Sequence, residues 1–468
     1  MKLFKAFTFI LVIAFAMAAC GPAATEAPAE EPAAVEEPAV VEEPMAEEEP
    51  AAAEEPVEEM PAGLSCDEPI KVGLITDVTG ALAIYGAHIV RSFMLGMEYA
   101  TGAPGSAGDV FDFAAAQENT FTYEGCEITV FVRDDQSNPE NTATIARELI
   151  DVQNVDLLVG TVSSGATATL QGIALESGVP LIVAPAAAND ITGKDFNEYT
   201  FRTSRNNYQD AINECAYLVK EYSTFVQIAP DYAFGRGSAQ AFRDACSLGG
   251  GEFVADDVFA PADTTDFTPY MEQILDSGAE TYIVTWAGSG FVPLVQAATD
   301  LGVNENMALG ATFIDNVLMP IWYGNAVGST NGILYHYSAP QNEINDFLVA
   351  QDKARYGTAP DLFDADGMNA AIMAVEAIKA VEGNMDGAAL IAAMEGMIFE
   401  GPKGTIEIRP EDHVAIQDMY VMKLVDLTAA DAAYYEYVET TRPEPPCLLP
   451  EGLTDRCGDL PVGSLSGE

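Results

Sequence analysis

Residues 155–188 read VDLLVGTVSSGATATLQGIALESGVPLIVAPAAA, and they carry the clearest evidence for the fold class. Two nearly continuous apolar runs, Val155–Gly160 and Pro180–Ala184, flank an amphipathic stretch, Ala166–Ser177. Such runs are typical of parallel strands covered on both faces, and the stretch between them has the period of a helix. The segment is therefore predicted to be a strand–helix–strand crossover. Ligands bind such sheets outside the carboxyl ends of the strands.

The same alternation of strands and helices continues along the chain on both sides of this segment. Because residues 66–440 are too many for one comfortable core, we predict an α/β fold with two doubly wound parallel-sheet lobes. The other predicted strands are Lys71–Thr76, Ile128–Arg133, Phe225–Ile228, Thr281–Thr285 and Ala308–Gly310. The other predicted helices are Asn141–Val152, Asn207–Glu221, Ser238–Ser247, Pro269–Ser277, Asp366–Val381 and Asp386–Met394.

The N-terminus has the pattern of a secretory signal. Lys2 and Lys5 precede an apolar run over residues 6–19, which is shorter than the roughly 20 residues that span a bilayer. The sequence Met17-Ala18-Ala19-Cys20 resembles a bacterial lipobox, which implies a signal peptide over residues 1–19 and a diacylglycerol on Cys20. An ordinary signal peptide whose removal leaves a free cysteine is the alternative.

Residues 20–65 are predicted to be a spacer, since they consist mainly of Ala, Glu, Pro and Val and cannot bury a core. No later segment is apolar enough to span a membrane. The 73 acidic and 20 basic side chains of the whole chain give a formal net charge of −53. This charge argues against nucleic acid and anionic lipid surfaces as partners, because both would be repelled.

Six cysteines follow Cys20, and an exported protein is found where disulfides persist. Cys66 and Cys126 each precede a strand, and neighbouring parallel strands start at the same sheet edge, so we expect these two to pair. Cys215 and Cys246 lie on successive predicted helices, and Cys447 and Cys457 would close a short loop in the tail. A metal site is the competing interpretation, but no CxxC pair is present and histidine is scarce.

The common catalytic motifs are absent from the sequence: there is no GxSxG elbow, no GxxxxGK[ST] loop and no HExxH helix. His88, His336 and His413 lie far apart in the chain, and we interpret them as structural. The chain is therefore predicted not to be an enzyme, with neither cofactor nor metal.

A series of short motifs resembles the type I periplasmic binding proteins, specifically the branched-chain amino acid (leucine/isoleucine/valine-binding) family. The resemblance covers about Lys71 to Val425, and it rests on the order and spacing of the motifs. They are Thr79-Gly80 with Tyr85-Gly86, Asp134-Asp135 with Asn138-Pro139, Gly160–Gly165, Ala184–Ala187, Phe201-Arg202-Thr203, Asp231–Gly235, Thr265–Thr268, Gly401-Pro402 and Asp412-His413.

This resemblance implies that the chain crosses three times between two lobes, near Thr203, near Tyr335 and near Gly404–Ile408. The first lobe is then expected to hold residues 66–203 and 336–404, and the second lobe residues 204–335 and 405–440. Residues 441–468 are not typical of the family, and we interpret them as a disulfide-pinned tail.

The predicted ligand site begins at the turn after the strand that ends at Gly160. Ser163 and Ser164 open a helix there, where exposed N–H groups and the helix dipole favour a carboxylate. N-capping by serine is the alternative role, and it is compatible with ligand contact. Ala186, Ala187 and Ala188 end the next strand, and the resemblance implies that the backbone of Ala186 helps to bind the polar end of the ligand.

Two positions depart from the family at the expected amine end of the ligand. The family usually has threonine at the position of Ala188, and its acidic amine partner maps onto Thr312. Asp315 is close in sequence and is a candidate substitute. Tyr85, Phe234 and Trp286 are expected to line the cleft as aromatic walls, with ordinary packing as the alternative. Arg202 and Arg205, beside the first crossing, are candidates either to pair an anion or to brace the hinge.

The resemblance implies an extracytoplasmic binding protein of an ABC importer that closes around a small polar solute and delivers it to permease subunits. An amino acid is the first expectation for the ligand. A small carboxylate, an amide or a urea-like solute is the alternative. A sensing role toward a receptor partner and an exported hydrolase remain the other functional hypotheses.

Overall fold

The computed structural model describes Leu64, Cys66 and residues 68–105, 117–287, 290–311 and 315–467. The predicted signal peptide, the lipidation of Cys20, most of the spacer and Thr312 lie outside these residues. Within them, no helix has both the length and the apolar character needed to cross a membrane.

The first lobe is built on a six-stranded sheet in the order β2-β3-β1-β4-β5-β6. Only the edge strand β2 runs antiparallel to its neighbour, and every other pairing is parallel. The strands are β1 (Ile70–Thr76), β2 (Glu118–Tyr123), β3 (Cys126–Asp134), β4 (Leu157–Gly160), β5 (Leu181–Val183) and β6 (Thr200–Arg202). The helices that follow these strands are α1 (Ala83–Thr101), α2 (Pro139–Glu148) and α3 (Ser164–Ser177).

The second lobe is built on a parallel sheet in the order β11-β10-β7-β8, with β9 also paired to β7. Its strands are β7 (Thr224–Pro230), β8 (Glu252–Phe253), β9 (Val258–Ala260), β10 (Thr281–Val284) and β11 (Ala308–Gly310). Its helices are α4 (Asn207–Glu221), α5 (Ala233–Leu248), α6 (Thr268–Asp276), α7 (Phe291–Asp300), α8 (Val303–Asn306) and α9 (Met319–Trp322).

The last third of the chain returns to the first lobe and adds two small antiparallel sheets. Helices α10 (Glu343–Arg355), α11 (Asp364–Ala380) and α12 (Gly387–Met394) belong to this part. One sheet has the order β12-β16-β17 and the other the order β13-β14-β15. Their strands are β12 (Thr330–Ile333), β13 (Ile398–Gly401), β14 (Gly404–Ile408), β15 (Ala415–Ile416), β16 (Met419–Leu424) and β17 (Tyr435–Thr441).

Each lobe has its own hydrophobic core. In the first lobe, α1 and α11 pack closely where Gly96 faces α11, and a Cβ at this glycine would lie 2.7 Å from the Cβ of Ala371. The core of the second lobe forms around β7 and β10, with Phe267 and Leu294 fully covered. The prediction of a mixed α/β fold with two parallel-sheet lobes is confirmed. The sequence did not predict strands β2, β6, β8 and β9, the two antiparallel sheets, or helices α1, α7, α8, α9 and α10.

Three disulfides join Cys66 to Cys126, Cys215 to Cys246 and Cys447 to Cys457, which are the three pairs expected from the sequence. The first joins the segment before β1 to β3, and the second joins α4 to α5. The third closes a loop of the tail, where both sulfurs are buried.

Candidate functional site

A small cavity of about 40 Å³ lies at the carboxyl ends of β4 and β5, and both lobes contribute to its lining. This is the edge of a parallel sheet at which ligands bind. Six of the residues predicted for the site meet here: Tyr85, Ser163, Ser164, Ala186, Ala187 and Phe234. The other lining residues are Leu82, Val162, Pro185, Arg205, Tyr232, Ala287 and Phe363.

The turn between β4 and α3 contains Ser163 and Ser164, and we call it the Ser164 turn. It supplies hydrogen-bond donors to this cavity. The first bond within α3 runs from the Thr167 N–H to the Ser163 carbonyl (2.8 Å), so the preceding N–H groups have no partner inside the helix. Ser163 is the N-cap residue, but its side chain makes no capping bond. The hydroxyl oxygen of Ser164 accepts the Ala188 N–H at 3.2 Å, which leaves the hydroxyl hydrogen available to donate.

The backbone after β5 is oriented by two buried arginines. Arg205 Nη1 donates to the Pro185 carbonyl (2.9 Å), and Arg202 Nη1 donates to the Ala186 carbonyl (2.9 Å). In a planar trans peptide, a carbonyl and the next N–H point in opposite directions. The N–H groups of Ala186 and Ala187 therefore point away from the arginines. Across the described residues, neither of these amides donates to a protein acceptor. Together with Ser164 they are the candidate donors to an anion in this cavity.

Aromatic rings form the apolar walls of the cavity. Tyr85 on α1 meets Phe363 edge to face, with ring centroids 5.1 Å apart. Tyr232 and Phe234, at the start of α5, come from the second lobe, and their rings lie 5.9 Å apart. Such walls suit a flat or branched apolar body. Phe363 and Tyr232 were not predicted, because no local pattern relates these residues to the Ser164 turn.

Arg205 brings positive charge to the lining of the cavity. Its Nε lies 3.2 Å from Asp210 Oδ1, and its guanidinium lies 5.3 Å from the centre of the Phe363 ring. Burial raises the pKa of Asp210 to about 6 despite this partner. Burial also lowers the pKa of Arg202 to about 9, helped by the neighbouring charge of Arg205. No Asp or Glu side chain is among the described residues that line the cavity.

The remaining predicted site residues lie outside the lining. Ala188 lies behind it, with its carbonyl bonded to Arg202 Nη2 at 2.7 Å. Trp286 packs edge to face on Phe267 (4.8 Å) and borders a neighbouring opening between the lobes. Asp315 accepts the backbone N–H groups two and three residues ahead of it, at 3.1 and 2.8 Å, and burial raises its pKa.

The three histidines make local contacts that agree with structural roles. His88 Nε2 lies 3.8 Å from Asp361, His336 Nε2 lies 3.1 Å from the Ala432 carbonyl, and His413 Nδ1 lies 2.9 Å from the Thr200 carbonyl. Burial lowers the pKa of both His88 and His336 to about 4. In the described part of the chain no histidine lines the cavity, so Ser163 and Ser164 have no base beside them there.

A larger cavity of about 370 Å³ lies in the second lobe, beside the edge strand β11. Its walls come from α4, β10, α7 and the segment before β12, and residues such as Tyr282, Phe291 and Tyr323 line it. Because its described lining belongs to one lobe, closure of the cleft would not enclose a solute there. The smaller cavity is therefore the candidate ligand site.

Comparisons with known proteins agree with this architecture. A family model described as "Periplasmic binding protein" matches residues 69–431. The Leu/Ile/Val-binding protein homolog 6 of Brucella melitensis is 26% identical over 391 residues, which cover 81% of this chain and 93% of the relative.

Two solved structures from Rhodopseudomonas palustris are also similar. An ABC-type branched-chain amino acid transporter protein is 33% identical, with a TM-score of 0.65, and the match covers 80% of this chain and 96% of that one. A solute-binding protein of an ABC transporter, in complex with 3,4-dihydroxybenzoic acid, is 26% identical with a TM-score of 0.69 and a coverage of 80% and 97%.

These findings exclude the hydrolase hypothesis, because proteins of this family bind solutes outside the cytoplasm and work with permease components rather than catalysing a reaction. The chain belongs to the periplasmic binding protein family, as an ABC-type substrate-binding protein of the branched-chain amino acid group.

Proposed function

We propose that this protein captures a small monocarboxylate with an apolar or aromatic body and delivers it to an ABC importer. One observation carries the proposal: the donors of the Ser164 turn, the free amides of Ala186 and Ala187, and Arg205 converge on one cavity with aromatic walls. Hydroxyl and amide donors of this kind bind a carboxylate, and the rings accommodate the rest of the solute.

The charge of the lining favours a simple anion over a zwitterion. An ammonium group that is buried without a counter-charge is expensive, and no carboxylate lies among the described lining residues. The relative that was solved with 3,4-dihydroxybenzoic acid binds an aromatic acid of this type.

An amino acid is the second candidate. Curated relatives are named as Leu/Ile/Val-binding proteins, and the relative at 33% identity is described as a branched-chain amino acid transporter. For this candidate, Asp315 would have to turn toward the cavity and give up the bonds that now cap its own turn.

The proposed mechanism is closure of the two lobes about a hinge. The hinge consists of the three segments that cross between the lobes, after β6, after β12 and through β14. Hydrogen bonds already join the lobes at the cleft. Asn189 Nδ2 in the first lobe donates to the Gly237 carbonyl in the second (3.1 Å), and the Asn316 N–H donates to Asp361 Oδ2 (2.9 Å). A ligand that binds the closed form better shifts the population toward it. We further propose that a lipid on Cys20 tethers the protein to the membrane through the spacer.

Titration calorimetry with four probes would test the ligand class. Benzoate, 4-hydroxybenzoate, L-leucine and benzamide share the size range, but they differ in charge and in the presence of an amine. We expect binding of at least one benzoate and none of benzamide, which has the shape of benzoate but lacks the charge. Binding of L-leucine alone would establish the second candidate. Mass spectrometry of solute released from the gently purified protein would identify the natural ligand.

A further inference from the structure

The C-terminal segment after β17 lies beyond the stretch that the family model matches, which ends at residue 431. We name residues 442–467 the C-terminal strap. Its first part lies against the proposed hinge. Gln209 Nε2 donates to the Pro443 carbonyl (3.3 Å), and Arg409 Nη1 donates to the Pro445 carbonyl (2.8 Å). The strap therefore starts beside the segments that cross between the lobes.

The middle of the strap is fastened to the first lobe. Cys447, Leu449 and Cys457 form a buried apolar cluster together with Phe196, which lies between β5 and β6. Arg456 Nη2 lies 2.6 Å from Glu395 Oε1, and its guanidinium lies 5.2 Å from the centre of the Phe196 ring. These contacts form the first foot of the strap.

The end of the strap is fastened to the second lobe. The Leu465 N–H donates to Asp244 Oδ2 on α5 at 2.7 Å. The side chains of Leu448 and Leu465 both pack against the buried cluster formed between α4 and α5. These contacts form the second foot. They involve α4 and α5, which follow the first crossing in the chain, whereas Phe196 precedes that crossing.

The two feet belong to one folded piece. The Cys447–Cys457 disulfide closes the loop between them. The Cys447 N–H donates to the Pro461 carbonyl (2.8 Å), and the Gly463 N–H donates to the Cys447 carbonyl (2.9 Å). A braced piece of this kind cannot simply lengthen. When the lobes move apart, one foot must be released from its lobe.

We propose that the C-terminal strap restrains the opening of the two lobes, so that the closed arrangement is favoured before any solute binds. This inference rests on the proposed hinge, but it does not depend on the identity of the solute. The strap contributes no residue to the described lining of the ligand cavity. It would therefore act on the balance between open and closed forms and not on ligand contact.

Small-angle scattering of the ligand-free protein tests this inference without a ligand. One variant ends after Gly463, which removes the Leu465 contacts of the second foot and keeps Leu448 and the disulfide loop. A second variant, Asp244→Ala, removes the acceptor of the Leu465 N–H. A hydrogen bond to a charged group that exists only in the closed form is worth about tenfold in the open-to-closed ratio. We expect the maximum dimension to increase in both variants.

Asp276→Ala is the matched control, because Asp276 is an exposed acid at the end of α6 in the same lobe. It should scatter as the wild type does. Circular dichroism establishes that each variant is folded, and Arg456→Ala, which weakens the first foot, replaces any variant that is not. Scattering identical to the wild type in folded variants of either foot would overturn the restraint, whereas a failure of all probes to bind would affect only the proposed function.

Discussion

Replacement of Ser164 by alanine tests the candidate anion site most directly. The substitution removes the hydroxyl that faces the cavity and leaves the Ala188 N–H without its acceptor at 3.2 Å. A hydrogen bond to a charged group contributes about 1.5–3 kcal/mol, which corresponds to roughly a 10- to 150-fold increase in Kd. Because the Ala188 amide is buried, we also expect a loss of about 1 kcal/mol or more in the free energy of unfolding.

Titration calorimetry with benzoate would measure the change in affinity, and urea unfolding would measure the change in stability. Ser177→Ala is the control, because this exposed serine ends the same helix far from the cavity. It should change neither quantity appreciably. An affinity of Ser164→Ala within twofold of the wild type, for a probe that the wild type binds, would refute the role of the Ser164 turn.

Three further predictions concern packing, pH and the disulfides. Gly96→Ala should destabilise the protein by about 1–3 kcal/mol in urea unfolding, because its Cβ would lie 2.7 Å from a side chain of α11. Gly172→Ala, with open space around it, should not destabilise. Burial raises the pKa of Glu214 from 4.5 to about 8. The contribution of this group to the free energy of unfolding is therefore greatest below about pH 4.5, and it is lost as the pH rises to about 8. Glu214→Gln should therefore flatten the fall in unfolding free energy between about pH 5 and pH 8, and an unchanged slope would contradict this. Replacing both Cys215 and Cys246 with alanine should cost about 2–4 kcal/mol, and an unchanged urea midpoint would argue against it.

Much of the fold could be predicted because its evidence is local. The strand at Ala308–Gly310 and the helix at Asn207–Glu221 agree with the structure to the residue, since apolar runs and helical periodicity extend over only a few turns. The antiparallel strands of the last third were missed. Strands such as β14 are short and pair only with other late strands, so the strand–helix alternation did not indicate them.

The candidate site was predictable where one segment supplies it. Ser164 and Ala186 follow successive strands of the same sheet, and the resemblance to the binding-protein family implied that both lie at the ligand. Phe363 was not predictable in this way. It comes from the final return of the chain to the first lobe and meets Tyr85 only in the folded protein.

The sequence by itself determined the alternation of strands and helices, the position of the donor turn at a strand end and the expected pairing of the cysteines. These depend on residues that are close in the chain or at equivalent positions of one sheet. Only the tertiary structure decided that Arg205 lines the cavity, that Asp315 caps its own turn, and that the C-terminal strap touches both lobes. The physical reason is that such contacts join residues far apart in the chain, whose proximity depends on how the two sheets pack and cross.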